Sequence, residues 1–158
     1  MATDRRLAAG HASRTPYVIL ALALIGIFDA SYESYAIYTN QLLWCPPPID
    51  GCNIVASSPY ARIFGVPVGY FGVIFYLCMF ALAALLALDP LSRGLRLGTL
   101  LYAAMGVSFS TYFMYIQLNF IHAFCIYCLI SGVLTIFFLV AALWHLRATR
   151  MEARVAPA

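Results

Sequence analysis

Four of the five cysteines occur in two pairs whose spacing suits thiol–disulfide chemistry. Cys45 and Cys52 flank a proline-rich stretch, Trp-Cys-Pro-Pro-Pro-Ile-Asp-Gly-Cys, and Cys125 and Cys128 form Cys-Ile-Tyr-Cys at the start of an apolar run. Residues three apart share one face of a helix, so the second pair can close a disulfide after slight adjustment. The free N–H groups at a helix N-terminus favour a thiolate there. If the two pairs meet, they form a relay for electrons.

The elements that position these cysteines are predicted by composition. The chain has 158 residues, of which 64% are hydrophobic and 9% are charged, whereas a soluble domain carries about 25% charge. Four apolar segments, 17–38, 67–88, 95–118 and 124–146, are each long enough to cross the roughly 30 Å hydrocarbon core. We therefore predict an all-α integral membrane four-helix bundle over 17–146, with an outer loop at 40–66 and tails at 1–16 and 147–158.

The arginines predict the orientation of the bundle. Eight of the nine lie on one side if all four segments span the membrane, and that side is cytoplasmic by the positive-inside rule. These eight are Arg5, Arg6, Arg14, Arg93, Arg96, Arg147, Arg150 and Arg154, and Arg62 alone lies opposite. Both termini are then cytoplasmic, and both cysteine pairs face an oxidising space, such as the periplasm outside a bacterial inner membrane. Arginines scattered at helix ends do not indicate a nucleic-acid partner.

The outer loop is expected to fold back on itself. Three prolines at 46–48 make a stiff, extended stretch, and Asp50-Gly51 is a turn signal that returns Cys52 toward Cys45. Ser58 and Pro59 resemble the N-cap and first residue of a short helix. The apolar residues of that helix, at helical spacing, are Tyr60, Ile63 and Phe64. We expect this helix to lie along the membrane surface as a lid over the bundle.

Three interpretations of the four cysteines remain open at this point. The first is a pair of structural bridges, although a helix already holds Cys125 near Cys128, so a bridge there adds little stability. The second is a four-sulfur metal site, although the six residues between Cys45 and Cys52 exceed the usual two to four. A thiol–disulfide relay is favoured, because it needs one exposed pair and one embedded pair. We expect no metal and assign no role to Cys78, which lies within an apolar segment.

The electron acceptor of such a relay is expected to be a membrane quinone held among aromatic side chains. Candidate contacts are Phe71, Tyr112 and Tyr115. Asp29 lies within the first apolar segment, where an acid is a functional candidate, and it can supply a proton or bind a carbonyl. The alternative for Asp29 is that it only faces the membrane interface or caps loop contacts, and this is what we expect of Glu33, one helical turn further on.

The pattern resembles the vitamin K epoxide reductase family, in particular bacterial homologues without a fused thioredoxin-like domain. The similarity runs from about residue 26 to 146. Its motifs are Gly-Ile-Phe-Asp-Ala-Ser-Tyr from Gly26, Cys52-Asn-Ile-Val-Ala-Ser-Ser58, Phe64-Gly-Val-Pro-Val-Gly69, Phe71-Gly72 and Cys125-Ile-Tyr-Cys128. The resemblance implies four helices around a quinone of the ubiquinone, menaquinone or phylloquinone type, roofed by the short loop helix.

The resemblance also implies roles for individual residues. Cys128 would lie beside the quinone with Cys125 as its partner, Cys52 would exchange with Cys125, and Cys45 would exchange with an external thiol protein. Ser58 would hold the loop near the site. The external protein would be a separate thioredoxin-fold partner similar to DsbA. Val68 and Gly132 stand where the animal enzymes carry quinone-binding asparagine and tyrosine, so epoxide reduction is not implied.

Two other functions fit the same cysteines. A non-enzymatic membrane assembly subunit with a disulfide-stapled outer loop would need only Cys45 and Cys52. A DsbB-type oxidase would perform nearly the same chemistry, but its reactive Cys-x-x-Cys comes early in the chain, whereas here it comes last.

Overall fold

The computed structural model describes the backbone of residues 2–47 and 51–155 and the side chains of residues 14–47 and 51–149. Pro48 and Asp50, which belong to the predicted proline stretch and turn, lie outside the described residues. The side chains of Arg5, Arg6, Arg150 and Arg154 lie outside them as well.

The described part of the chain contains five α-helices and one small hairpin. In chain order they are α1 (Ala2–Tyr38), α2 (Cys52–Ser57), a 3₁₀ turn (Pro59–Ala61), β1 (Arg62–Ile63), β2 (Val66–Pro67), α3 (Val68–Leu88), α4 (Arg93–Ile116), a π-helical turn (Gln117–Ile121) and α5 (Ile126–Val155). Strands β1 and β2 are antiparallel neighbours.

Four helices are long and apolar enough to cross a membrane, which confirms the predicted all-α membrane bundle. The spans are Arg14–Tyr38, Val68–Leu88, Arg93–Ile121 and Ile126–Thr149, close to the predicted segments. Their outer faces carry many exposed large apolar side chains, as expected where lipid is the solvent. The protein is therefore an integral membrane protein. Helices α1 and α5 continue into the predicted tails, whose cytoplasmic placement remains a prediction.

Small residues let the spanning helices approach closely around aromatic side chains. Tyr76 and Phe138 are fully buried in the centre of the bundle, where their rings lie 6.0 Å apart. Gly26 of α1 faces Tyr76 so closely that a Cβ at this position would overlap the tyrosine ring. A glycine here therefore allows α1 and α3 to pack against each other, as small residues do at helix contacts in membranes.

The short helix of the outer loop forms earlier in the chain than predicted. The helix is α2, which ends at Ser57, and the segment after Ser58 is only a 3₁₀ turn followed by the hairpin. The physical reason is the hydroxyl of Ser58, which donates to the backbone oxygen of Val55 at 2.7 Å and so closes α2 rather than capping a later helix. The hairpin turns at Phe64-Gly65, where both residues have positive φ. Residues of α2 and of the 3₁₀ turn nevertheless line the cavity within the bundle, among them Val55 and Tyr60.

Candidate functional site

The loop cysteines are joined and differ in accessibility. A disulfide bond links Cys45 to Cys52, with their Cα atoms 6.1 Å apart. Cys52, the first residue of α2, is fully buried, whereas Cys45 is partly exposed. Because disulfide exchange requires a thiolate to reach a sulfur, Cys45 is more accessible to an attacking thiol than Cys52 is.

Asn53 clamps the two arms of the loop together. The backbone N–H of Leu43 donates to Asn53 Oδ1 at 2.8 Å, and Asn53 Nδ2 donates to the backbone oxygen of Leu43 at 3.1 Å. Each such bond contributes about 1 kcal/mol. The clamp fixes the chain two residues before Cys45 against the start of α2, and so holds both loop cysteines in place.

Two tyrosines tie the loop to the spanning helices. The hydroxyl of Tyr127 donates to the backbone oxygen of Trp44 at 2.6 Å, and the Trp44 N–H donates to the hydroxyl of Tyr32 at 3.4 Å. The two tyrosine rings lie 5.4 Å apart. Since Tyr127 stands between Cys125 and Cys128, the second cysteine motif itself anchors the residue before Cys45.

The second pair lies where α5 begins. Cys125 immediately precedes the helix and is buried, while Cys128 lies in the first turn and is partly buried. The backbone N–H of Cys125 donates to Gln117 Oε1 at 2.9 Å. Gln117 opens the π-helical turn, a widened turn often found at functional sites, and exposed His122 reverses the chain with φ of 54°.

The surroundings of Cys125 favour its thiolate. A hydrogen bond with the Cys128 thiol is the largest cause that lowers the pKa of Cys125, to about 7 from its ordinary value of 9.0. The backbone N–H groups of Cys128 and Tyr127 lower this pKa further, and burial opposes them. Donors converging on one sulfur at a helix start are typical of a reactive cysteine.

This origin of the low pKa can be tested by titration. In a Cys78→Ala background with the loop disulfide intact, we expect Cys128→Ser to show thiolate absorbance of Cys125 that rises with pH around a midpoint near 7. Serine retains a hydroxyl donor, so the side-chain hydrogen bond to the Cys125 sulfur is kept. Cys128→Ala removes that donor, and its midpoint should move to higher pH. Equal midpoints in the two variants would contradict the assignment.

All four cysteines pack into one cluster at one end of the bundle. Cys52 and Cys125 are among its buried members, and Cys45 and Cys128 pack against it. Cysteines from positions far apart in the chain therefore share one apolar cluster. This arrangement suits exchange between the two pairs, because exchange requires a thiolate of one pair to reach a sulfur of the other.

Gly51 is the residue that lets the loop approach the second pair. A Cβ at Gly51 would lie 2.7 Å from the backbone oxygen of Phe124, 2.8 Å from its nitrogen and 2.9 Å from the Cβ of Ala123. Contacts below 3.0 Å are essentially never seen for real Cβ atoms. The residue before Cys52 is thus in tight contact with the two residues before Cys125.

A carboxyl group from α1 completes the site. A carboxylate oxygen of Glu33 and the Sγ atoms of Cys125 and Cys128 all lie within 4.8 Å of one another. These atom types can bind a metal, but a structural zinc site uses four ligands, and the described side chains place only these three together. The sequence led us to expect Glu33 at the interface, and the structure shows that expectation to be wrong.

An apolar cavity of about 500 Å³ lies within the bundle, and Cys128 is one of the residues that line it. A cavity of this volume suits a ring-sized organic ligand. Its aromatic walls are Tyr60, Phe71, Phe75, Tyr76, Tyr102, Phe109 and Phe113, and its polar lining includes Asp29, Glu33, Ser58, Gln117, Cys128 and Ser131. The hydroxyls of Tyr76 and Ser131 share a hydrogen bond of 2.6 Å.

The structure separates the predicted quinone contacts into two groups. Asp29, Ser58 and Phe71 line the cavity. Tyr112 and Tyr115 are 58% and 56% exposed on the outer face of α4 and form no part of the cavity wall.

Sequence reasoning missed two residues of this site. Glu33 had a signal, because it follows Asp29 by four residues and so shares its helix face. Gln117 had none, since a lone amide near the end of an apolar segment indicates no particular contact.

Comparison with known proteins gives two findings. Residues 17–143 match the Vitamin K epoxide reductase family. A curated relative, "Thiol-disulfide oxidoreductase LTO1" of Arabidopsis thaliana, is 34% identical over 121 residues, which are 72% of this chain and 32% of that protein. The chain therefore spans about a third of the length of this relative. The resemblance that the sequence motifs indicated is confirmed.

Proposed function

Because the chain belongs to the vitamin K epoxide reductase family, we propose that it is a membrane thiol–quinone oxidoreductase that supports disulfide formation. In this function, electrons from a reduced thiol protein outside the membrane pass through Cys45 and Cys52, then through Cys125 and Cys128, to a membrane quinone. The name of the plant relative, a thiol-disulfide oxidoreductase, supports the thiol chemistry.

The observation that carries the proposal is the position of Cys128. It packs against the cluster that contains the other three cysteines, and it also lines the cavity. One sulfur therefore faces both the protein's disulfides and a space for an organic acceptor. A loop staple alone would require neither the cavity nor the second pair, so this geometry disfavours the assembly-subunit alternative.

The exchange steps follow from accessibility. A thiolate of the external protein attacks Cys45, the partly exposed sulfur, and Cys52 leaves as a thiolate. Cys52 attacks Cys125 of an oxidised Cys125–Cys128 pair, and Cys128 leaves as a thiolate. A second thiol of the partner then releases Cys45, which attacks Cys52 and frees Cys125. The loop disulfide is restored and the partner is oxidised. Cys125 and Cys128 take up the two protons that the partner's thiols released, so the pair holds two electrons and two protons.

The cavity fits a quinone headgroup. Its walls are mainly apolar, with several aromatic side chains and a few polar groups that include Asp29 and Cys128. When bound, a quinone would accept the two electrons and two protons that Cys125 and Cys128 lose as their disulfide re-forms. Ubiquinone, menaquinone and phylloquinone all carry a quinone ring, which is the group that such a cavity would hold.

The partner is proposed to be a separate protein of thioredoxin fold, similar to DsbA, in the extracytoplasmic space. The exposed side chains of Leu42 and Trp44, 84% and 70% exposed, lie beside Cys45. Apolar residues next to an accessible disulfide suit a partner that must place its own cysteine against Cys45.

The proposal is tested with the purified full chain in detergent. We expect quinol to form when a reduced DsbA-type protein and a soluble quinone analogue are added together, and not when either is omitted. Cys78→Ala is the matched control and should behave as wild type, because Cys78 lies outside the cysteine cluster. Absence of quinol formation by wild-type protein, across the three quinone classes, would overturn the proposal.

A further inference from the structure

Glu33 is an acid at a place where the exchange of disulfides does not require one. Its carboxylate lies within 4.8 Å of both Cys125 Sγ and Cys128 Sγ, and it lines the same cavity as Cys128. Glu33 belongs to α1, whereas the cysteines belong to the start of α5. Two separate elements thus bring an acid–base group and a thiol pair together beside one cavity.

The groups around Glu33 are acidic or neutral. The ionisable groups that face it are Asp29 on its own helix, Tyr76 on α3, and Cys125 and Cys128 at α5. Placing an acid inside a membrane bundle is costly, and such residues mark proton or substrate pathways. Glu33 is therefore placed to exchange protons with the thiols.

Quinone reduction by a thiol pair requires protons to move together with electrons. Two thiols lose two electrons and two protons as a disulfide forms, and a quinone gains both to become a quinol. Cys128 lines the cavity, so its proton can pass directly to the quinone. Cys125 is 1% exposed and does not line the cavity. Its proton therefore needs a carrier to reach the quinone. Glu33 lies within 4.8 Å of Cys125 Sγ and also lines the cavity.

We propose that Glu33 is a catalytic acid–base residue that carries the Cys125 proton to a quinone oxygen; this inference rests on the proposed function. Glu33 accepts the proton as Cys125 becomes a thiolate. The Cys125 thiolate then forms the S–S bond with Cys128, the electron pair passes to the quinone, and Glu33 and Cys128 each give up one proton. The products are the Cys125–Cys128 disulfide, ionised Glu33 and quinol, so protons and electrons balance.

The test separates the two half-reactions of the purified full chain. The first is oxidation of a reduced DsbA-type protein through Cys45, followed without quinone. The second is quinol formation in a single turnover, after the protein has been reduced and mixed with excess soluble quinone. For Glu33→Gln we expect an unchanged first half-reaction and a second that is slower by about 10²-fold, the usual contribution of a general acid–base group.

Two further variants distinguish proton transfer from packing. Glu33→Asp keeps a carboxyl group and should recover part of the lost rate. Glu33→Ala leaves space, and small carboxylic acids such as formate should accelerate its second half-reaction. Asp89→Asn is the matched control with wild-type rates, because Asp89 ends α3 and caps Ser92 away from the cavity.

The outcomes separate the two proposals. A wild-type rate of quinol formation in Glu33→Gln would overturn the role of Glu33, and so would an equal slowing of both half-reactions without rescue by Glu33→Asp or formate. If wild-type protein forms no quinol, the proposed function itself fails. A slow second half-reaction restored by a carboxyl group supports Glu33 as the proton carrier.

Discussion

Cys128→Ala is expected to abolish quinol formation while leaving the loop disulfide able to react with an external thiol protein. Cys128 is the cysteine that lines the cavity, so its removal leaves no sulfur beside the acceptor. Cys125 cannot replace it, since it is 1% exposed and lies outside the cavity wall. We expect turnover with a reduced DsbA-type protein and quinone to fall by at least about 10³-fold, as for loss of a covalent catalytic group.

The same variant should also change which disulfide accumulates. When Cys45 is removed as well, Cys52 and Cys125 are the two remaining thiols of the cluster. Mild oxidation with diamide, which accepts their two electrons and two protons, should then join them in a stable Cys52–Cys125 disulfide, since neither Cys45 nor Cys128 is present to displace it. Mass spectrometry of proteolysed Cys45→Ala/Cys128→Ala protein measures that bond directly. Wild-type turnover in Cys128→Ala, or no Cys52–Cys125 bond in the double variant, would contradict the proposed order of exchange.

The helices of this fold could be predicted from sequence because the bilayer imposes one rule on them. A chain that crosses hydrocarbon must satisfy its own backbone, so long apolar segments become helices. All four spans agree with the apolar segments to within a few residues. The thiol pairs could be predicted equally well, since their chemistry follows from residue type and spacing.

The inner face of each helix could not be predicted, because lipid-facing and buried positions are both apolar. This ambiguity explains the errors at Tyr112 and Tyr115, which point outward, and at Glu33, which points toward the cysteines. In a soluble helix, the polar stripe would have identified the exposed face. In a membrane helix, only contacts with other helices decide which face is buried.

The short helix of the loop differs from the prediction for another reason. Ser58-Pro59 is a good helix start in isolation, yet the Ser58 hydroxyl bonds backward to Val55 and ends α2 instead. Three contacts already hold α2 in place on the N-terminal side of Ser58. They are the disulfide and the hydrogen bonds of Asn53 and Tyr127. Long-range contacts therefore overrule a local preference here, as they often do for short helices.

Gly51→Ala is expected to slow transfer between the two cysteine pairs by about 10²-fold, because small misplacements of reacting groups have effects of that size. The new Cβ would meet the backbone of Phe124 at 2.7 and 2.8 Å, and backbone atoms cannot move aside as a flexible side chain can. The loop must then retreat from the start of α5, which separates Cys52 from Cys125. Access of an external thiol to Cys45 does not depend on this contact.

Rapid mixing with a reduced DsbA-type protein measures the effect of Gly51→Ala. Formation of the mixed disulfide at Cys45 should keep its wild-type rate, while appearance of Cys125 and Cys128 thiols should be delayed. Gly98→Ala is the matched control, since a Cβ at Gly98 meets no atom within 4 Å, and it should leave both rates unchanged. An undelayed second step in Gly51→Ala would mean that the loop swings away from Phe124 before exchange. The contact at Gly51 would then describe a resting position rather than the geometry in which sulfur attacks sulfur.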